Sequence, residues 1–361
     1  MAGGSTCVGV MIMRAMSVVP MQAGSLAVTD FPDPVPGPGE LLVEGVALGV
    51  CGTDREIATG QYGWAPPGAD RLILGHESLG RVREAPPGSG FAPGDLIVGI
   101  VRRPDPVPCP ACARGEFDMC RNGQYVERGI KEIHGYGSQL WTVEADYAVR
   151  LDPGLESVGM LLEPTTVVSK AWDHIERIGN RAWYGPERVL VTGSGPIGLL
   201  AALLGVQRGL DVHVLDRVEK GLKPWLVADV GATYHTGTIA DVARHAMPDI
   251  IIECTGAPEL VLDAMENNAA AGIVCLTGVS SAGRRLPIDA GAVNRAIVLE
   301  NDVVFGSVNA NRHHYELGAD ALAKADRSWL ERLVTRRIPL ERAAEAFEPG
   351  DDDVKVILDL T

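Results

Sequence analysis

The sequence predicts an α/β fold in which a β-rich, barrel-like domain precedes a doubly wound parallel sheet. Three observations lead to this prediction. Short β-like runs broken by Gly and Pro fill the chain up to about residue 160, strands and helices alternate from Arg188 onward, and an apolar strand lies near the last residue. With 361 residues, the chain is long enough for two domains with separate hydrophobic cores.

The first domain is predicted from many short strands separated by frequent turns. The strand-like runs are ELLVEGVALGV, GRVREA, GDLIVGIV and QLWTVEADYAVRLDP, whereas FPDPVPGPGE and APPGSGFAPGD are turns between strands. The boundary is expected near LLEPTTVVSKAWDHIERI, a predicted helix with Pro164 in its first turn. We therefore assign residues 12–165 to the first domain, completed by residues 313–361, and residues 166–312 to the second.

The second domain is predicted from the alternation of strands and helices, which is typical of a parallel sheet. The predicted strands are RVLVTG, DVHVLDR, DIIIECTG, GIVCLTG and DVVFGSV, and the predicted helices are IGLLAALLGVQRG, KPWLVADVG and PELVLDAMENNAAAG. The last strand, VKVILDL, is expected to return to the first domain.

The composition excludes several classes of protein. The chain is 46% hydrophobic and 22% charged, as in an ordinary soluble globular protein. A formal net charge of −15 argues against binding to nucleic acid or to anionic lipid. No apolar run approaches the roughly 20 residues of a membrane span. The opening MAGGSTCVGVMIMRAM lacks a basic start and is a poor signal peptide, so a cytoplasmic protein is expected.

The stretch RVLVTGSGPIGLLAALLG predicts a dinucleotide site, because it places Gly193, Gly195 and Gly198 between a strand and an apolar helix. The first glycine permits a tight turn, the second lets a pyrophosphate approach the backbone, and the third allows close packing of the helix. The helix N-terminus offers free N–H groups to the phosphates. The alternative is a glycine-rich turn that binds no ligand.

Asp216 ends the second strand of this domain, where a carboxylate can accept hydrogen bonds from the adenosine ribose. NAD is therefore expected in preference to NADP, and Arg217 keeps NADP possible. An exposed aspartate at a strand end is the alternative. The residues expected at the cofactor are Gly193, Ser194, Gly195, Pro196, Ile197, Gly198, Asp216, Arg217, Thr255, Gly278, Val279 and Val308.

Seven cysteines, an odd number, fit reduced thiols better than a disulfide framework. Cys109, Cys112 and Cys120 form a C-x2-C-x7-C cluster that predicts a structural zinc, with Asp105 as the nearest acidic candidate for a fourth ligand. A lobe that holds no metal is the alternative. The remaining thiols are expected to be buried apolar groups unless they join another cluster: Cys7, Cys51, Cys254 and Cys275.

A second set of potential ligands is spread along the chain: Cys51 in GVCGTD, His76 and Glu77 in LGHESLGRV, and Glu163 in LLEPTT. Mixed sulfur, nitrogen and oxygen ligands with one open position are what a catalytic zinc requires. Neighbouring side chains on an extended strand point to opposite faces, so binding by both His76 and Glu77 requires a bend or a metal that shifts between them, and His76 is the firmer assignment.

The sequence resembles the zinc-containing medium-chain dehydrogenase/reductase superfamily, through CGTD, GHE, the cysteine lobe and GSGPIG in this order. The stretches VRRP, YVERGI, HGYGSQ, LLEP and GSVNA resemble the microbial glucose 1-dehydrogenases within it. This resemblance implies that the first domain is a GroES-like barrel and that the second is a Rossmann domain. The sequence departs from the family pattern at two places. The lobe has three cysteines where four are usual, and Leu299 stands where some relatives have histidine.

The resemblance also implies roles for individual residues. Cys51, His76 and Glu77 match catalytic zinc positions, and Glu163 matches a carboxylate that serves zinc or sugar. Thr53 matches a hydroxyl at the sugar and on the path of the departing proton. The polar residues expected to contact the sugar are Glu127, Asn301 and Asn309.

The expected activity is the zinc-dependent oxidation of an aldose, D-glucose above all, at C1 with hydride transfer to NAD(P). A polyol or secondary-alcohol dehydrogenase is the alternative within the same class. A catalytically silent nucleotide-binding relative is the alternative outside it, and a zinc-free quinone reductase would not need these ligands. The resemblance implies a small sugar as the partner and a homodimer or homotetramer as the assembly.

Overall fold

The computed structural model describes residues 11–281, 283–350 and 352–361. The expectation that Cys7 is a buried apolar thiol lies outside the described residues, as does most of the opening segment considered above as a signal peptide.

The described elements follow the predicted order. The N-terminal part contains β1 (Ile12–Val18), β2 (Ala27–Pro32), β3 (Glu40–Val50), α1 (Gly52–Ala58), β4 (Leu72–Ile73), β5 (Glu77–Glu84), β6 (Leu96–Gly99), β7 (Arg102–Arg103), β8 (Val126–Arg128), β9 (Glu132–Ile133), β10 (Leu140–Glu144) and β11 (Ala148–Arg150). The rest contains α2 (Leu162–Gly179), β12 (Arg188–Thr192), α3 (Pro196–Gln207), β13 (Asp211–Leu215), α4 (Leu222–Asp229), β14 (Thr233–His235), α5 (Ile239–Ala246), β15 (Ile250–Glu253), α6 (Pro258–Glu266), β16 (Ile273–Leu276), α7 (Ala290–Glu300), β17 (Val303–Gly306), α8 (Arg312–Lys324), α9 (Arg327–Leu333), β18 (Val334–Pro339) and β19 (Lys355–Asp359).

The long strand β3 organises the β-rich part. One edge of β3 pairs antiparallel with β5, while its other edge pairs first with β10 and then with β19. The resulting sheet has the order β11-β6-β5-β3-β19-β18 with β10 added on β3. The pairing of β19 with β3 confirms that the last strand returns to the first domain.

One predicted strand run is divided in the structure. QLWTVEADYAVRLDP forms β10 and β11 with a helical turn, Ala145–Tyr147, between them. The Arg312 guanidinium donates to the carbonyl oxygens of Ala145 and Ala148 and so stabilises this corner. A long-range cap of this kind leaves no local signal in the run itself.

The second sheet is parallel throughout and has the strand order β14-β13-β12-β15-β16-β17, which is that of a Rossmann domain. Helix α3 packs against β12 and β13, and Leu199 to Leu204 are all buried. A Cβ atom on Gly198 would lie 1.8 Å from the carbonyl oxygen of Gly193, so only glycine allows this approach of helix to turn. The carboxyl ends of β12, β13, β15 and β16 therefore meet at one edge.

Helix α2 joins the two parts, as the sequence predicts, with Pro164 in its first turn. It packs against α3 on one side and α8 on the other. Lys170, Trp172 and Ile175 of α2 are all buried, so this helix lies deep in the molecule. No helix among the described residues has both the length and the apolar character needed to cross a membrane.

Candidate active site and metal sites

Cys51 and His76 come together at the end of β3. Cys51 caps the N-terminus of α1, and its Sγ lies 3.1 Å from His76 Nε2. His76 follows Gly75, whose φ of +95° turns the chain directly before the two adjacent ligand candidates. The side-chain ligand atoms of Cys51, His76 and Glu77 all lie within 4.8 Å of one another.

Asp54 orients this pair, although the sequence analysis gave it no role. Its Oδ1 lies 3.3 Å from His76 Nδ1, and its Oδ2 accepts a hydrogen bond of 3.0 Å from the Cys51 backbone N–H. Asp54 is fully buried in the first turn of α1. A carboxylate on one imidazole nitrogen directs the other nitrogen towards a metal, which is the usual arrangement around zinc-binding histidines. The motif CGTD contained this signal.

Glu77 forms a buried ion pair with Lys355, the first residue of β19. Burial alone would lower the pKa of Lys355, but Glu77 and Cys51 raise it, so the lysine is charged. Gly49 makes room for the carboxylate, since a Cβ atom there would lie 1.9 Å from Glu77 Oε2. Lys355 was missed in the sequence because only the return of β19 to β3 brings it here.

Glu163 and Thr53 lie at the margin of this cluster. Glu163 is in the first turn of α2, and burial raises its pKa to about 7, with the Glu77 charge adding to the shift. Thr53 lies beside Tyr62: burial raises the pKa of Tyr62 to about 12, and the Thr53 side chain opposes this shift. Glu163 is not one of the three residues whose ligand atoms converge among the described residues.

The residues present fit a zinc ion. A thiol, an imidazole and a carboxylate converge, which is the mixed donor set of an open catalytic site. The local field also favours a cation: burial would lower the pKa of His76, yet Cys51 and Asp54 raise it well above its usual range.

Glu127 and Asn309 are joined by a hydrogen bond. The Asn309 Nδ2 amide donates a hydrogen bond of 2.6 Å to Glu127 Oε1. The Arg102 guanidinium donates to the same oxygen from Nε at 3.1 Å and from Nη2 at 2.9 Å. The motif VRRP contains Arg102, but the pairing of this residue with β8 cannot be predicted from the motif. Gly129, just after β8, packs on the carbonyl oxygen of Gly75, so Glu127 and His76 lie on touching segments.

Asn301 does not join this group. It ends α7 with a φ of +60°, it is exposed, and its carbonyl oxygen accepts a hydrogen bond of 2.7 Å from Arg181. Only Asp302 separates it from β17, so it lies at the amino edge of the parallel sheet, opposite the carboxyl edge. The expectation that Asn301 contacts the sugar does not fit this position.

A cavity of about 620 Å³ lies at the carboxyl edge of the parallel sheet. Its walls include five of the residues expected at the cofactor: Gly193, Gly195, Asp216, Arg217 and Thr255. Pro196 begins α3, with Gly195 as the N-cap, so the helix N-terminus opens towards this cavity. Of the other expected residues, Ser194 and Gly198 are buried and Ile197 is half-buried. Val279 and Val308 are largely exposed. Gly278 donates a hydrogen bond from its N–H to the Glu253 carbonyl oxygen.

Asp216 is held by the glycine turn. Its Oδ2 accepts hydrogen bonds of 2.6 Å from both the N–H and the hydroxyl of Ser194, and its Oδ1 accepts one from the Val218 N–H. Although burial opposes it, these bonds lower the pKa of Asp216, so the carboxylate is ionised. Lys223 lines the same cavity, so the cavity contains a second cation besides Arg217, which is the one that the sequence indicated.

The three thiols of the cysteine lobe converge as predicted. The ligand atoms of Cys109, Cys112 and Cys120 lie within 4.8 Å of one another, and the first two sulfurs are 3.7 Å apart. Backbone N–H groups of Cys112 and Arg121 lower the pKa of Cys109 to about 6, whereas burial raises that of Cys112 to about 11. The three converging sulfur atoms supply three of the four donors that a structural zinc needs.

Asp105 does not complete this set among the described residues. Its Oδ1 accepts a hydrogen bond of 2.9 Å from the Val107 N–H in a local turn, and Asp105 is not in the group of mutually close ligand atoms that the three thiols form. The expectation of Asp105 as the fourth ligand does not fit this position, although its Oδ2 is buried without a hydrogen-bond partner in the described structure.

Removing a lobe thiol tests whether the lobe binds metal. If the lobe binds zinc, the purified protein carries two zinc ions per chain, and Cys112→Ser loses one of them. Because metal binding is coupled to folding, we expect a lower free energy of unfolding with kcat nearly unchanged. Metal analysis and thermal unfolding provide the measurement, and Cys275→Ser, a buried thiol outside the lobe, is the control. One zinc per chain in both wild type and Cys112→Ser would show an empty lobe.

Two family models together match most of the chain. Residues 37–153 match the alcohol dehydrogenase GroES-like domain, and residues 156–360 match the glucose dehydrogenase C-terminus. The glucose 1-dehydrogenase of Methanocella arvoryzae is 40% identical over 357 residues, 96% of this chain and 99% of the relative. That of Thermoproteus tenax is 38% identical over 355 residues, with the same shares.

A solved structure, Haloferax mediterranei glucose dehydrogenase in complex with NADP, Zn and gluconolactone, matches with a TM-score of 0.89 and 32% identity, covering 97% of this chain and 99% of that chain. Fold and matches together define a zinc-containing medium-chain dehydrogenase/reductase, with a GroES-like domain and a Rossmann domain. Within that superfamily, the chain belongs to the glucose dehydrogenase family. The resemblance seen in the sequence is confirmed.

Proposed function

We propose that this protein oxidises an aldose, D-glucose above all, at C1 and transfers the hydride to NAD(P). The C1 hydride leaves with its electron pair, the C1 hydroxyl loses its proton, and the products are the lactone, NAD(P)H and a proton. The carrying observation is the convergence of the Cys51, His76 and Glu77 ligand atoms, and Gly129, just after Glu127, packs on Gly75, directly before His76. Membership of the glucose dehydrogenase family supports the same reaction.

Each group of residues has a task in this proposal. Cys51 and His76 hold zinc, with Glu77 and Glu163 as the carboxylates available to it. Zinc bound there supplies Lewis acidity, which makes a hydroxyl proton easier to remove. Thr53 lies on the path of that proton. Asp54 fixes the orientation of the imidazole through its Oδ1. Its Oδ2 accepts the hydrogen bond from the Cys51 backbone N–H at the same time.

Sugar and cofactor are positioned by the remaining residues. Glu127 and Asn309 present a carboxylate and an amide to the sugar hydroxyls, and Arg102 holds Glu127 in place. The glycine turn and the N-terminus of α3 bind the pyrophosphate, and Asp216 binds the adenosine ribose. The cofactor accepts the hydride; the protein's part is to align C1 with it and to exclude water.

The preference for NAD over NADP rests on Asp216. A carboxylate accepts hydrogen bonds from the ribose hydroxyls and repels the 2′-phosphate, so we expect the wild type to favour NAD. Asp216→Ala removes that repulsion and also frees Ser194 from its hydrogen bonds to the carboxylate. We therefore expect this substitution to lower kcat/KM with NAD and to raise it with NADP. Kinetics with both cofactors provide the measurement.

Two controls sharpen this experiment. Lys223→Ala removes a second cation of the same cavity and should reduce only the efficiency with NADP. Asp211→Ala changes a carboxylate at the other end of β13 and should leave the ratio unchanged. A wild type that favours NADP, or an Asp216→Ala ratio equal to that of the wild type, contradicts the assignment.

We also propose limits for the two domains, an assembly and a location. Residues 12–165 with 313–361 form the catalytic domain, and residues 166–312 form the cofactor domain; the pairing of β18 and β19 with the β3 sheet supports this division. We propose a cytoplasmic homodimer or homotetramer, and sedimentation of the purified protein measures the assembly.

A panel of substrates tests the proposed reaction. Glucose and other aldoses, polyols and secondary alcohols are each supplied with NAD and with NADP, and formation of the reduced cofactor is followed by absorbance. We expect the highest kcat/KM with an aldose. Higher efficiency with a polyol or a secondary alcohol would identify the other branch of the superfamily, and no turnover with any substrate would identify a silent relative.

A further inference from the structure

Six residues form a closed ring of contacts that links the cysteine lobe to the sugar-binding pair. Glu127 binds the Arg102 guanidinium, whose Nη1 donates a hydrogen bond of 2.9 Å to the carbonyl oxygen of Asp118. The Asp118 carboxylate lies 2.7 Å from Lys170 Nζ, which donates a hydrogen bond of 3.0 Å to the carbonyl oxygen of Val308. Asn309 follows Val308 and closes the ring by donating to Glu127.

The ring crosses the proposed domain boundary at two places. Asp118 lies in the turn Phe117–Met119, directly before the lobe thiol Cys120, while Lys170 lies on α2. Asn311 adds a second contact, because its Nδ2 donates a hydrogen bond of 2.8 Å to Asp118 Oδ1. The segment 308–311 is therefore held to Asp118 directly by Asn311 at one end and through Lys170 at the other.

The ion pair at the centre of the ring is fully enclosed. The Lys170 side chain is 2% exposed and that of Asp118 is 0% exposed. A buried ion pair contributes little net stability, because desolvation offsets most of the attraction between the charges. A pair that satisfies several backbone and side-chain partners does fix the relative positions of the groups it binds. Positioning is thus the better explanation for these two charges.

Asn309 is the group that this positioning serves. Its φ of +63° is the left-handed conformation, which asparagine tolerates better than most residues. Its Oδ1 accepts a hydrogen bond of 2.8 Å from the Ala310 N–H, which leaves Nδ2 directed at Glu127. Since the Val308 carbonyl is the preceding attachment, displacement of Lys170 would let the Asn309 amide turn away from Glu127.

We propose that Lys170 and Asp118 are positioning residues for sugar recognition, acting through Val308 and Asn309. This inference rests on the proposed function, since it assigns the sugar to the Glu127–Asn309 pair. It also gives the cysteine lobe a task beyond stability, because the lobe carries Asp118. Neither charge needs to touch the sugar.

The test is a double-mutant cycle in steady-state kinetics. Lys170→Met keeps the length of the side chain without its charge, and we expect it to raise the KM for glucose about tenfold or more, because small misplacements in a binding site are costly. We expect kcat to change less than about threefold. If Lys170 acts through Asn309, Lys170→Met combined with Asn309→Ala raises KM no further than Asn309→Ala alone.

Controls separate positioning from folding. A variant that is only less stable lowers the fraction of active enzyme, and therefore the apparent kcat, at an unchanged KM. Lys170→Met with Asp118→Asn removes both charges and avoids an unpaired one; we expect it to fold and to keep the high KM. Arg208→Met, which removes another ion pair to α2, should match the wild type. An unchanged KM in Lys170→Met, or KM effects that multiply in the double variant, would overturn the proposal.

A second readout does not depend on the substrate. The free energies of unfolding of Lys170→Met, Asn309→Ala and the double variant should be non-additive if the ring couples them, and additive values contradict the ring. A wild type that oxidises no aldose overturns the proposed function instead, so the two failures are distinguishable.

Discussion

Cys51→Ala should abolish turnover while leaving dinucleotide binding intact. Cys51 lies 3.1 Å from His76, and its loss leaves the cluster without its sulfur donor. Lewis acidity at such a site contributes several kcal/mol to stabilisation of the transition state, which corresponds to a loss of about a thousandfold or more in kcat. The phosphate-binding turn Gly193–Gly198 belongs to the other sheet, so NADH titration followed by fluorescence should give a near-normal Kd.

The matched control is Cys275→Ala. It removes the same sulfur atom from a fully buried position in β16, away from the cluster. We expect this control to keep its zinc content and its activity, with some loss of stability from the cavity. Near-normal oxidation of glucose by Cys51→Ala, with about one zinc per chain lost, would exclude the assignment of a catalytic zinc to this position.

Glu127→Ala should reduce kcat/KM for aldoses about ten- to over a hundredfold. A hydrogen bond to a charged group contributes about 1.5–3 kcal/mol, and each 1.4 kcal/mol is roughly a factor of ten. The substitution also leaves Arg102, which is almost fully buried, without its carboxylate partner. Initial rates over a range of glucose concentrations provide the measurement, with a secondary alcohol as the comparison substrate.

Glu127→Gln is the conservative control. It keeps an oxygen that can accept from Arg102 and from Asn309 but removes the charge, so we expect an intermediate loss with aldoses. A sugar-binding role predicts little change with the secondary alcohol in either variant. Equal losses with both substrates would assign Glu127 to structure instead of sugar recognition.

The fold was largely predictable from the sequence, because its signals are local. Strand–helix alternation predicted the parallel sheet, and Gly193, Gly195 and Gly198 predicted where its helix N-terminus opens. The return of VKVILDL to the first domain was predicted, but its pairing partner was not. Its pairing with β3 is a long-range contact that periodicity cannot specify. The division of QLWTVEADYAVRLDP into two strands was not predicted for the same reason.

The residues of the candidate site were predictable where they belong to local sequence motifs. They were not predictable where folding brings them in from distant parts of the sequence. Cys109, Cys112 and Cys120 converge as their spacing indicates, and Cys51 and His76 converge as the family resemblance implies. Lys355, Arg102 and the Lys170–Asp118 pair are brought in by strand pairing and helix packing, across most of the chain in the case of Lys355. Asp105 was expected from its proximity to the thiols and Asn301 from the family resemblance, yet a local turn uses the first and a helix end the second.

The most direct test of the central claim uses glucose carrying deuterium at C1. The wild-type protein is incubated with this substrate and NAD, and the product and the reduced cofactor are examined by mass spectrometry. Direct hydride transfer from C1 predicts gluconolactone or its hydrolysis product without deuterium, and reduced cofactor that carries one deuterium per turnover. Deuterium retained in the sugar product, or reduced cofactor formed without it, would contradict oxidation at C1.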